Sequence, residues 1–148
     1  MNTYTQIIYQ IVFSTKHRVK CLTSNNRNEL FKYMSGIVKN KSCHLYQIGG
    51  VSDHIHIVTH LHPSVALADL VKDIKLASSE FIKSHMISPL FTGWQDGYAA
   101  FTYSIDAKDN LIKYVQNQET HHKKETFSDE LKGFLKQHNV DYDEKYLD

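Results

Sequence analysis

The run Asp53-His54-Ile55-His56-Ile57-Val58 constrains this chain more than any other segment. On a β-strand, side chains at i and i+2 leave the same face with Cα atoms about 7 Å apart. That spacing lets two imidazoles converge on one metal ion while Ile55 and Ile57 point into a core. Further along, Tyr114 and Gln118 are spaced to lie one helical turn apart on a single stripe. The combination offers a metal site, a hydroxyl nucleophile and a third ligand. His60 shares the face of His54 and His56, but about 13 Å of strand separates it from His56, too far to complete the pair directly. Gln118 is an acceptable but weak oxygen ligand, and His121 and His122 remain stronger alternatives. Mixed imidazole and oxygen ligation suits Mn²⁺ better than Mg²⁺, although cellular abundance favours Mg²⁺.

A length of 148 residues suits one domain, 1–148, with a sizeable core. The hydrophobic fraction of 41% and charged fraction of 22% are those of a globular protein. No apolar run reaches the length of a membrane span, and the N-terminus lacks the order of a signal peptide. Cys21 and Cys43 have neither disulfide-framework nor metal-pair spacing, which places the chain in the cytoplasm with reduced thiols. A formal charge of +1 is uninformative about nucleic acid, whose binding depends on local patches. Three such patches are Lys16-His17-Arg18 with Lys20, Lys39 with Lys41, and His121-His122-Lys123-Lys124. Each alone reads first as solvated surface.

Apolar periodicity orders the elements. Residues Tyr4 to Phe13 alternate, with Ile7, Tyr9, Ile11 and Phe13 on one face, and read as a strand. A helix capped within Ser24 to Asn26 follows, its stripe being Leu30, Phe31, Met34, Ile37 and Val38. His44 to Ile48 form a second strand, Gly49-Gly50 a turn, and Val51 to Leu61 a third strand in a hairpin with the second. Pro63-Ser64 opens a long helix that stops before Pro89, and Trp94 reads as a core anchor in preference to a stacking platform for bases. Tyr98 to Ser104 are a fourth strand. Helices across 107–138 then start from Asp106 or Asp109 and from Ser128. The order βαββαβ plus C-terminal helices is satisfied by an α+β, ferredoxin-like antiparallel sheet with two helices on one face.

A tyrosine hydroxyl, with a pKa near 10, is a weak nucleophile at neutral pH. It becomes useful where a metal polarises a phosphodiester and stabilises the developing charge. The pair His54-Ile55-His56, the segment Tyr114-Val115-Gln116-Asn117-Gln118, and the following Glu119 to Lys124 resemble the single-tyrosine HUH transposases. These are small enzymes of insertion sequences that move as single-stranded DNA. The resemblance extends over nearly the whole chain, including Ile11 to Lys16, Gln95 to Tyr98, and Phe134-Leu135 to Tyr142-Asp143.

That resemblance implies a nuclease–ligase cycle. His54, His56 and Gln118 would hold Mg²⁺ or Mn²⁺ on the scissile phosphate. Tyr114 would attack to give a 5′-phosphotyrosine and a free 3′-hydroxyl, and another 3′-hydroxyl would rejoin the strand. The implied partners are single-stranded DNA with subterminal hairpins and a second copy of the chain, whose tyrosine helix can serve the neighbouring metal site. Charge and placement nominate Lys16, Arg18, Lys72, Lys75, Lys123 and Lys124 for phosphate contacts. Three other readings stay open. One is an RNA-recognition-like binding module, although its basic–Gly–aromatic signature is absent. The others are a domesticated relative that processes host repeats, and a metal-dependent phosphodiesterase with an idle Tyr114.

Overall fold

The computed structural model describes residues 1–147. Its sheet has the strand order β2-β3-β1-β4, built from β1 (Ile8–Ser14), β2 (His44–Gly50), β3 (His54–His60) and β4 (Ala99–Tyr103). Every neighbouring pair is antiparallel. Helices α1 (Ser24–Asn40) and α2 (Leu67–Ser84) make the two crossovers, which gives the expected βαββαβ order. Three further helices follow: α3 (Lys108–Gln116), α4 (Gln118–His121) and α5 (Phe127–Gln137).

Strand alternation on β3 splits the interior in two. Ile55 and Ile57 pack with Ile11 and Phe13 of β1 against Leu30, Met34 and Val38 of α1 and Leu70 and Ile74 of α2. Each fully buried aliphatic side chain there contributes about 1.5–3 kcal/mol. On the reverse face, Val58 and Ile8 meet Leu111 and Val115 of α3. The two N-terminal helices therefore cover one face as expected, and the C-terminal helices cover the other. His54 and His56 point into that second, smaller interior.

Double coverage explains a difference at β1. The strand begins at Ile8, not Tyr4; Tyr4 and Ile7 are exposed, whereas Ile8 is fully buried against α3. An alternation of the kind read over Tyr4 to Phe13 describes a half-buried strand, and β1 is buried on both sides. Trp94 is a core residue as expected, edge-on to Phe13 and Phe91 and donating its indole N–H to Ser78 Oγ at 3.0 Å. The strand β3 is shorter than the Val51–Leu61 span, and α2 begins at Leu67, beyond Pro63-Ser64.

Caps also shift. Thr23 caps α1 by accepting from the Asn26 N–H, and Thr126 caps α5 by accepting from the Asp129 N–H. Ser24 lies one residue too late and Ser128 two. Neither Asp106 nor Asp109 caps α3, whose first residue follows a 3₁₀ turn over Ile105–Ala107.

Gly49 and Gly50 are strand residues, not a turn. A Cβ on Gly49 would stand 2.3 Å from the Val115 carbonyl oxygen and 2.9 Å from Val115 Cγ1. The glycine is there so that α3 can lie on β2, and it fixes the helix one residue beyond Tyr114. Gly49→Ala is expected to destabilise the chain by about 3 kcal/mol, the upper range for overpacking. Urea denaturation followed by circular dichroism measures this; an unchanged midpoint would contradict the close approach.

Candidate metal and nucleophile site

The smaller interior is polar where a core would ordinarily be apolar. Gln10, His54 and His56 are fully buried, Gln118 is 1% exposed and Glu130 3%. Burying so many polar groups costs stability unless every one is partnered. Here they are, and the pattern of partners defines a site.

Glu130 sits at its centre. Its Oε1 lies 3.4 Å from His54 Nε2, 3.2 Å from His56 Nε2 and 3.0 Å from His122 Nε2. Its Oε2 accepts from Gln118 Nε2 at 3.1 Å and from the Tyr114 hydroxyl. Gln118 presents its Oε1 to His54 Nε2 at 3.1 Å. The ligand atoms of His54, His56, His122 and Glu130 all lie within 4.8 Å of one another. Two imidazoles from one strand face, one from the loop after α4 and a carboxylate from α5 thus share one small volume.

Second partners orient the rings. His54 Nδ1 is 2.8 Å from Asp53 Oδ1, and His122 Nδ1 is 2.8 Å from the Glu125 carbonyl oxygen. Both partners are acceptors only, so each ring carries its N–H on Nδ1 and turns Nε2 toward Glu130. This carboxylate-or-carbonyl, imidazole, ion order is the usual support of a metal-binding histidine. His56 Nδ1 lies 3.0 Å from Gln10 Nε2, and Gln10 Oε1 accepts from the Tyr103 hydroxyl at 2.6 Å. A half-turn of the Gln10 amide would exchange its oxygen and nitrogen. The Tyr103 hydroxyl can donate or accept, so this relay satisfies either tautomer of His56.

Electrostatics follow from the same contacts. Burial opposes charging of His54, yet the hydrogen bonds with Asp53 and Glu130 hold its pKa above the ordinary value. Burial dominates at His56 and pushes it down despite Glu130. Glu130 is buried, which favours its neutral form, but hydrogen bonds from His122, His54 and His56 hold it far below the usual carboxylate range. Tyr114 is pushed well above an ordinary phenol by burial and by the charge and hydrogen bond of Glu130. Its hydroxyl is also 3.2 Å from His121 Nε2.

The expected site residues therefore come together in part. Tyr114, His54, His56 and Gln118 meet within a single chain. Tyr114 and Gln118 do not share one continuous helix: the chain breaks at Asn117 (φ −99°, ψ 22°), which ends α3 and starts α4. Gln118 still reaches His54 because α4 is tied down by the Arg27–Glu119 ion pair, with Arg27 also donating to the Leu22 carbonyl at 2.8 Å. Of the two alternative histidines, His122 joins the ligand cluster and His121 turns to Tyr114.

Glu130 was not expected from the sequence. The available signal was a carboxylate on the apolar stripe of α5, three residues from Phe127 and four from Phe134. Phe127 stacks on His54 with centroids 4.2 Å apart, and Phe134 packs near His56 and Tyr114.

The six nominated cations separate. Arg18, Lys123 and Lys124 line one groove of about 750 Å³ beside His122, together with Lys20 and Arg27. The Arg18 guanidinium lies 4.9 Å from the Phe127 ring centroid. Lys16 is exposed on the turn before Arg18. Lys72 and Lys75 belong to α2, on the helix layer across the sheet. The Lys75 ammonium donates to the Gln95 carbonyl at 2.9 Å and to the Gly97 carbonyl, and burial lowers its pKa. It braces the loop before β4.

Comparison with known proteins gives a family and a fold. The profile of the family described as IS200-like transposases matches residues 3–118. The chain is 24% identical over 118 residues to the ISDra2 transposase TnpA of Deinococcus radiodurans, covering 76% of this chain and 84% of that one. A crystal structure of a candidate transposase from D. radiodurans R1 superposes with a TM-score of 0.62 at 23% identity, over 80% of this chain and 95% of that one. A REP-associated tyrosine transposase bound to a REP hairpin gives 0.61 at 12% identity, over 82% and 74%. Both likenesses concern the fold. No helix among the described residues is long and apolar enough to cross a membrane.

Proposed function

Because the chain belongs to the IS200-like transposases, enzymes that cleave and transfer DNA strands, we propose that it works on single-stranded DNA through a 5′-phosphotyrosine formed at Tyr114. The observation that carries this reading is the contact of the Tyr114 hydroxyl with Glu130, whose other oxygen touches both strand histidines.

Tyr114 Oη bonds to the scissile phosphorus, and the bond from phosphorus to the 3′-oxygen breaks. The departing oxygen takes up a proton and becomes a free 3′-hydroxyl, while the 5′ side stays on the tyrosine. An acceptor for the Tyr114 proton is already in contact at Glu130 Oε2, to which the hydroxyl donates. A 3′-hydroxyl from another strand end reverses the exchange, so the bond energy is kept without a nucleoside triphosphate.

The donor set fits a divalent ion: His54 and His56 offer imidazole nitrogens, Gln118 an amide oxygen, and Asp53 orients His54. A bound Mn²⁺ or Mg²⁺ would supply charge stabilisation at the phosphate. Residues 107–138 work as the nucleophile-bearing part of one catalytic unit, in which the tyrosine faces the histidines of its own chain. Pairing of two such chains into a homodimer remains part of this proposal.

The groove beside His122 is the path we assign to DNA, since it collects Arg18, Lys20, Lys123 and Lys124, with Asp53, Glu119 and Glu125 on the same lining and Glu119 already paired with Arg27. Hairpin recognition is supported by the REP hairpin held by the solved relative. Replacing Lys123 and Lys124 together by alanine is expected to weaken single-strand binding at all sequences. The slope of log K against log salt should flatten by about 1.4, two phosphates at about 0.7 each. An unchanged slope in fluorescence-anisotropy titrations would move the path elsewhere.

The function itself is tested with labelled single strands from the flanks of the gene. Incubation with protein and Mn²⁺, followed by a denaturing gel, should shift label to the mass of the protein, and EDTA should prevent it. Free cleavage products without an adduct would favour a phosphodiesterase, and binding without cleavage a binding module.

A further inference from the structure

We infer that His122 and Glu130, both beyond the segment matched by the family profile, are ligands of the same ion, so that metal binding latches α5 over the site. This rests on the reading of His54 and His56 as ligands, and adds an anionic ligand and a third imidazole to them.

Three observations carry it. First, the spacing of Glu130 Oε1 from each imidazole is that of neighbouring ligands on one ion. Ligands about 2.1 Å from one ion stand roughly 3.0 Å apart at octahedral angles and about 3.4 Å apart at tetrahedral ones. Glu130 Oε1 is 3.0, 3.2 and 3.4 Å from the three Nε2 atoms.

Second, the rings are aimed. A neutral imidazole has one N–H, and both His54 and His122 commit theirs at Nδ1 to an oxygen that can only accept. Their Nε2 atoms then face Glu130 Oε1, and His54 Nε2 also faces Gln118 Oε1. Nitrogen and oxygen ligand atoms converging on one small volume make a place for a cation.

Third, α5 has its own attachments to the site. Phe127 stacks on His54 and Phe134 lies against the Tyr114 ring, so a shift of Glu130 moves with the helix that covers the nucleophile. Glu130 Oε2 holds the Tyr114 hydroxyl while Oε1 faces the ligands, which makes Glu130 a positioning residue between ion and nucleophile.

The test measures metal binding without DNA. Mn²⁺ is titrated calorimetrically into wild type, Glu130→Gln, His122→Asn and His56→Ala, with circular dichroism confirming the fold of each. Glu130→Gln and His122→Asn are expected to bind Mn²⁺ at least tenfold more weakly, and to change the visible spectrum of the Co²⁺-loaded protein. Hydrogen exchange in wild type should slow across 127–137 when Mn²⁺ is added.

Mn²⁺ binding by Glu130→Gln that is as tight as or tighter than wild type, with no metal-dependent protection of α5, would overturn the inference. The carboxylate would then be a competitor for the imidazoles. Parity in His122→Asn removes His122 from the shell. If only His56→Ala loses binding, the two-histidine site stands and this extension fails. If wild type itself binds no ion, both fall.

Discussion

Tyr114→Phe is expected to abolish the covalent protein–DNA adduct and to lower strand cleavage by at least about a thousandfold, as loss of an attacking nucleophile does. Little else should change. The ring keeps its packing against Phe134, at 5.7 Å between centroids, and against His56 at 6.1 Å. The lost hydroxyl leaves Glu130 with Gln118 and three imidazoles as partners. The stability cost is therefore about 1 kcal/mol, that of one hydrogen bond. Binding of Mn²⁺ and of a hairpin should stay within a few-fold of wild type. Cleavage that survived the substitution would mean that water, not the tyrosine, attacks the phosphate.

The feature that made Tyr114 legible was its spacing to Gln118, and the structure shows both how far that spacing reaches and where it stops. The strand alternation around Ile55 and Ile57 carries directly into the two-sided sheet, because burial on a strand has a period of two. The break at Asn117 is not periodic and leaves no mark in the apolar pattern. Gly49-Gly50 resembles a turn for a sound local reason, yet the determinant at Gly49 is a helix carbonyl supplied by Val115, far away in the chain. Glu130 was hidden for a related reason. A glutamate on a helix reads as solvated, and its burial depends on three imidazoles that only the tertiary structure assembles. Its position among Phe127, Leu131 and Phe134 was the local hint. Lys75 shows the converse: a basic residue at a plausible place is occupied by loop carbonyls.

His54→Ala and His56→Ala should each lose cleavage by at least about a thousandfold. They would do so by a route distinguishable from Tyr114→Phe, since the Mn²⁺ response should disappear with the activity. In wild type, Mn²⁺ at a hundred times its dissociation constant should stabilise the fold by about 2.7 kcal/mol. The histidine variants should show none of this shift, whereas Tyr114→Phe should retain it. Their costs in metal-free stability also differ by mechanism. Removing the His54 ring strips Asp53 of the partner that holds its pKa below the ordinary value. It also leaves Phe127 without its stacked neighbour. Removing His56 frees Gln10 and deletes one of the three imidazoles around Glu130. Each leaves a buried polar group short of a partner, at about 1–3 kcal/mol. The thermal shift with Mn²⁺, measured against each variant's own metal-free midpoint, separates that cost from ligand loss. A full Mn²⁺ shift in either histidine variant would remove that residue from the metal site, and with it the reason two imidazoles are buried on this face of the sheet.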